Sequence, residues 1–133
     1  MSKLNKLAAH WQETLNSFSW DKESGAQRLL TSTVSWLGGL CCKWGDNDAR
    51  LKPFDCYIYF WADSYAIELK ILKAGKIKFQ PHQLSILHFC AQHNNQSHLV
   101  GLISTNDGKF WTNFYTAREL MDLETAGEFE LVV

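Results

Sequence analysis

No stretch of this 133-residue chain approaches the roughly 18 consecutive apolar residues that a bilayer crossing needs, which excludes a membrane-spanning helix. Met1 to Trp11 is polar and amphipathic and lacks the apolar core of a signal peptide, so an intracellular protein without membrane attachment is expected. The four cysteines, Cys41, Cys42, Cys56 and Cys90, form no C-x-x-C pair, and no histidine sits at ligand spacing from them, which speaks against a zinc site. Three of them lie in apolar surroundings and read as reduced core thiols. Charge of one sign is not in excess either. Thirteen basic and fourteen acidic residues leave a net charge of −1, unlike the usual basic nucleic-acid binder. Repeats, low-complexity segments and long linkers are missing too, so residues 1–133 read as one domain, long enough to bury a core without staples.

What is present is a globular composition, 46% hydrophobic and 20% charged. Aromatic residues reach 14%, six of them Trp, enough to fill a core with large rings and leave some for a partner. Charge is segregated along the chain. Lys70, Lys73, Lys76 and Lys78 form a basic run, and Glu119, Asp122, Glu124, Glu128 and Glu130 an acidic tail. A local cationic surface can meet phosphate although the sum is near zero. The same lysines would also suit a solvated strand edge.

Hydrophobic periodicity predicts a helix over 3–18, with Leu4, Leu7, Ala8, Trp11 and Leu15 on one side, and a second from Gly25 to Leu37, ended by Gly38-Gly39. Residues 40–44 form a short apolar piece, and Gly45 to Lys52 a polar loop. Asp55 to Phe60 and Tyr65 to Leu72, rich in β-branched and aromatic residues, read as a hairpin, with Asp63 in its turn. Lys76 to Phe79 is a short extension. Pro81 opens a helix to about His93. Leu99–Ser104 and Lys109–Tyr115 flank the turn Asn106-Asp107-Gly108. Thr116 with Glu119 makes a capping box for a helix over 117–125, and Glu128 to Val133 could be a last strand. The order indicates an α/β or α+β fold around a mixed sheet.

The chemistry concentrates in Pro53-Phe54-Asp55, then twelve residues, then Glu68-Leu69-Lys70. Strand alternation puts Glu68 and Lys70 on one face. A two-residue loop at Ala62-Asp63 pairs Trp61 with Ser64, and a four-residue loop pairs Phe60 with Tyr65. Either register sets Asp55 opposite Lys70 and brings all three charges to one point. Charges among Ile58, Ile67, Leu69 and Ile71 are costly unless paired or metal-bound. Asp55 and Glu68, with the Leu69 carbonyl between them in sequence, would suit Mg²⁺, and Lys70 could orient the attacking water or neutralise charge on a phosphate. A salt-bridged trio without metal is the plain alternative. Gln83, in the first turn of its helix, could touch a phosphate or a metal-bound water. His82 beside it, and Lys73, Lys76 and Lys78, are candidates for DNA contact. His88, His93 and His98 lack acidic partners, and Asp46 or Asp48 could replace Asp55 as ligand.

Asp55…Glu68-Leu69-Lys70 resembles the P-D…(D/E)-x-K signature of the PD-(D/E)XK nuclease superfamily, with Phe54 displacing the aspartate by one from Pro53. Phe79-Gln80-Pro81-His82-Gln83 is similar to the segment after the catalytic strand in Holliday junction resolvases of the RecU and archaeal types, and the likeness covers roughly residues 24–115. The resemblance implies a restriction-endonuclease-like mixed sheet flanked by helices, and a nuclease using Mg²⁺ or Mn²⁺. Asp55, Glu68 and the Leu69 carbonyl would then hold the ion, with Lys70 and Gln83 assisting. It implies branched DNA as substrate and a homodimer, since a four-way junction has near-two-fold symmetry. Another replication-repair or restriction-type nuclease, or a nuclease-like module that binds without cutting, fits the same residues. Ser24-Gly25-Ala26-Gln27-Arg28 resembles the family's first helix, but Gln27 stands where a Glu is expected; Glu23 or Glu13 would have to substitute. The small size suits a virus- or mobile-element-encoded enzyme.

Overall fold

A computed structural model describes residues 3–44 and 52–133. The predicted aspartates Asp46 and Asp48 and the loop over 45–51 lie outside the described residues. Among the described residues, four helices and a mixed five-stranded sheet make an α+β fold. The elements are α1 (Lys3–Ser17), α2 (Glu23–Trp36), β1 (Leu40–Lys43), β2 (Cys56–Phe60), β3 (Asp63–Ile71), β4 (Lys76–Lys78), α3 (Pro81–Gln92), β5 (His98–Asn106), β6 (Lys109–Thr116), α4 (Ala117–Thr125) and β7 (Glu130–Val132). The main sheet runs β1-β2-β3-β5-β6, and β4 pairs with β7 in a separate two-stranded ribbon. Only the β3–β5 pair of the main sheet is parallel; its crossover carries β4 and α3. Among the described residues no helix is long and apolar enough to cross a membrane.

Alternation along the strands divides the core in two. Cys56, Ile58, Phe60, Ile67, Leu69, Leu99 and Ile103 face α1 and α2, where they meet Leu7, Trp11, Leu15, Leu30 and Val34. Val100 and Leu102 face the other way, onto Leu87 and Cys90 of α3 and Leu120 of α4. Gly101 sits between: a Cβ there would come within 2.9 Å of Leu69 and 3.0 Å of Phe114. The β5–β6 hairpin closes on Asp107-Gly108, both with positive φ (53° and 73°), as a two-residue hairpin turn demands.

The β2–β3 hairpin differs from expectation by two residues. Its loop is Trp61-Ala62, and Phe60 pairs with Asp63, so Cys56 lies opposite Ile67 and the position of Asp55 falls opposite Glu68 rather than Lys70. Asp63 is the first residue of β3 instead of a turn residue, held by an ion pair to Lys3 at 3.0 Å. The register also sets Tyr57 against Ala66 and leaves its hydroxyl 3.1 Å from Ser64. A slip of two preserves faces, so Asp55, Glu68 and Lys70 still share one side of the sheet. The cysteines are unpaired thiols, but not all are core residues: Cys56 and Cys90 are buried, Cys41 is half-buried, and Cys42 is exposed on the edge strand β1.

Candidate active site at the β2–β3 strand ends

Strand β2 begins at Cys56, one residue after Asp55, while β3 continues past it to Ile71. The Asp55 N–H still donates to the Ile67 carbonyl (2.9 Å), and its carboxylate then takes over where the strand stops, with Oδ2 accepting from the Leu69 N–H at 2.7 Å. Ala66 donates to the Ser97 carbonyl just before β5 and Leu72 to the Ile103 carbonyl within it, so by alternation the Leu69 N–H and carbonyl point to the opposite side, where Asp55 stands. Asp55 Oδ1 lies 3.0 Å from Lys52 Nζ.

Glu68 and Lys70 are among the few buried charges, 3% and 7% exposed. Gln83 at the start of α3 links them. Its Nε2 donates to Glu68 Oε1 (2.8 Å), and its Oε1 accepts from Lys70 Nζ (3.0 Å) and from the Gln80 N–H (2.9 Å). The Lys70 ammonium is 3.8 Å from Glu68 Oε1 and lies over the Phe79 ring. Glu68 Oε2 is buried and meets no donor among the described residues. Burial first, and then the adjacent Asp55 carboxylate, push the Glu68 carboxyl up to about 9, against the pull of Lys70. A proton or a cation between the two carboxylates would relieve this repulsion.

These groups line a cleft of about 620 Å³ with Glu23, Lys73, Lys76, Lys78 and Gln80. Five lysines (Lys52, Lys70, Lys73, Lys76 and Lys78) face three acids across it, so the cleft is cationic although the chain is not. The first turns of α2 (Glu23) and α3 (Gln80, Gln83) both border it and add the positive ends of two helices.

The structure thus brings Asp55, Glu68, Lys70, Gln83, Glu23 and the three exposed lysines to one cleft. Burial raises the Glu23 carboxyl, opposed by Lys70 and assisted by Asp55. Yet among the described residues no three His, Cys, Asp or Glu side chains converge tightly enough to hold an ion, so Glu23 does not complete the acidic pair. Gln27 is buried behind the pair and donates to the Asp55 carbonyl (3.4 Å), while Glu13 lies in a separate groove between α1 and α2. His82 does not line the cleft: its Nε2 lies 2.9 Å from the Lys52 carbonyl, an internal tie, and the ring is half-buried. His88 and His93 are exposed on α3 and its C-cap, and burial lowers the pKa of His98.

Lys52 and Gln80 were given no role in the sequence reading, and Gln27 was read only as a missing carboxylate. The i, i+3 spacing of Lys52 and Asp55 and the capping-box pattern of Gln80 with Gln83 were the signals that could have found two of them. Compared with family models, curated proteins and solved structures, the chain matches none of them.

Proposed function

We propose that this chain is a metal-dependent DNA endonuclease, hydrolysing phosphodiesters of branched DNA in the manner of a Holliday junction resolvase. The observation that carries the reading is the buried, donorless Oε2 of Glu68 beside the Asp55 carboxylate, with the Leu69 carbonyl directed to the same side. Such an all-oxygen set suits Mg²⁺ or Mn²⁺, which would complete its shell with water. The cation, when bound, supplies a polarised phosphoryl oxygen and a more acidic water. The chain's own groups do the rest. Gln83 fixes the Lys70 ammonium within reach of Glu68, so that a positive charge stands where negative charge develops on the scissile phosphate. Lys73, Lys76 and Lys78 at the cleft wall receive neighbouring phosphates. A homodimer would match the two incisions that a four-way junction requires.

The test is cleavage of four-way junction, linear duplex and single-stranded DNA by purified protein, with Mg²⁺ or EDTA. Junction-selective cutting should fall by about 10²-fold or more in Asp55→Asn, the scale of losing one charge-stabilising group. Cutting of every substrate would indicate a replication-repair or restriction-type nuclease instead. Full activity in Glu68→Gln would refute the site. A second reading, a module that binds DNA without cutting, draws on Gln27 standing in the sequence where the resemblance expects a Glu, and on no third carboxylate joining the pair among the described residues; binding without any cleavage selects it.

A further inference from the structure

The sheet face that carries Asp55, Glu68 and Lys70 is covered unevenly. Helices α3 and α4 pack over β5 at Val100 and Leu102. They do not reach the β1–β2 end, where the same face presents Leu40, Tyr57 and Tyr59; Leu40 is 58% and Tyr59 50% exposed. The rings form a connected row. Trp44 meets Phe54 with centroids 5.1 Å apart, Phe54 meets Tyr57 at 5.9 Å, and Tyr57 meets Tyr59 edge-on at 5.3 Å. Asp55, Tyr57 and Tyr59 alternate outward along one strand, so the row departs from the acidic pair and runs about 13 Å by strand rise.

Charge divides along this face. The cleft holds the lysines, whereas the residues of β3 that flank the row, Ser64 and Ala66, are uncharged, and Asp63 points to the other face with Phe60. A cationic cleft that continues into an uncharged row of rings fits a ligand with phosphates at one end and flat apolar faces at the other. Paired bases keep their faces inside the duplex; unpaired bases offer them.

We infer that Tyr57 and Tyr59 form a stacking platform for unpaired bases next to the scissile phosphate, so that the substrate is DNA with a single-stranded segment or an opened branch point. The inference rests on the proposal that the cleft binds DNA. It sets the polarity of engagement: phosphates toward Lys73 and Lys76, bases along β2.

The experiment is binding in EDTA, which needs no catalysis, of fluorescein-labelled forked duplex with unpaired arms, fully paired duplex of the same sequence, and a thymidine homopolymer. Tyr59→Ala should weaken the fork and the homopolymer roughly tenfold while moving the paired duplex by less than about twofold, and Tyr59→Trp should keep wild-type affinity. An equal loss on all three ligands, or no loss, overturns the platform. So does a wild-type dimer in sedimentation that Tyr59→Ala dissociates, because the row would then be a contact between copies. Wild-type protein that binds none of the three overturns both platform and DNA cleft. Fork-selective loss in Tyr59→Ala, together with binding but no cleavage by the wild type in Mg²⁺, upholds the platform and defeats the nuclease assignment.

Discussion

The two faces of β3 are equally dry and chemically opposite. Ile67 and Leu69 are fully buried against α1 and α2, with only apolar neighbours to satisfy. Glu68 and Lys70, between them in sequence, are almost as buried against α3 and need a specific partner for nearly every polar atom. Apolar burial tolerates approximate neighbours, because dispersion and dehydration are non-directional. Charge burial does not, so the charged face is fixed by Gln83, Lys52 and the end of β2, while the apolar face needs only shape.

The largest separation of the two faces comes from truncation on the apolar side. Leu69→Ala should cost about 2–5 kcal/mol in urea unfolding. Cleavage at a temperature where the variant stays folded should persist, since Leu69 offers the site only its main chain. A drop of under about 1 kcal/mol would mean this face is loosely packed.

The charged face is distinguished by its pH dependence. Glu68 titrates higher when folded than when unfolded, so its contribution to stability is present below about 4.5 and is lost as the pH rises toward about 9. Without divalent ions the melting temperature should therefore fall across that window more steeply in the wild type than in Glu68→Gln. Mg²⁺ should restore most at the alkaline end. Parallel profiles for the two proteins would show that the acidic pair is not strained. The smallest effect belongs to the cleft wall. Lys76→Ala should weaken every DNA ligand similarly and reduce the salt slope of binding by about 0.9. An unchanged slope removes Lys76 from the phosphate path.

The sequence made some levels of this structure legible and hid others for physical reasons. Helix α4 was expected at 117–125 and forms there because its start is local chemistry: Thr116 and Glu119 cap each other. The hairpin at Asp107-Gly108 was equally legible, since its residue types match the positive φ that the turn requires. The β2–β3 register was not, because it goes with features no strand pattern displays: the distant Lys3 on Asp63, the Tyr57–Ser64 hydroxyl pair across the hairpin, and Trp61 taking a φ of 61° that its side chain does not favour. The face shared by Asp55, Glu68 and Lys70 survived that error because alternation depends only on parity. The ion pair of Lys52 with Asp55 and the position of Gln27 behind it depend on how loop and helix meet, which no local pattern encodes.

Gln83 closes the capping box of α3 with Gln80 and, with the same amide, holds Glu68 and Lys70. Glutamate commonly fills that helix position as well as glutamine does. Here it would have no proton to give Glu68 and would add a fourth carboxylate to the three already in the cleft. Starting the helix and arranging the site therefore form one joint constraint, and a substitution that a folding criterion alone would accept is barred by the neighbouring strand.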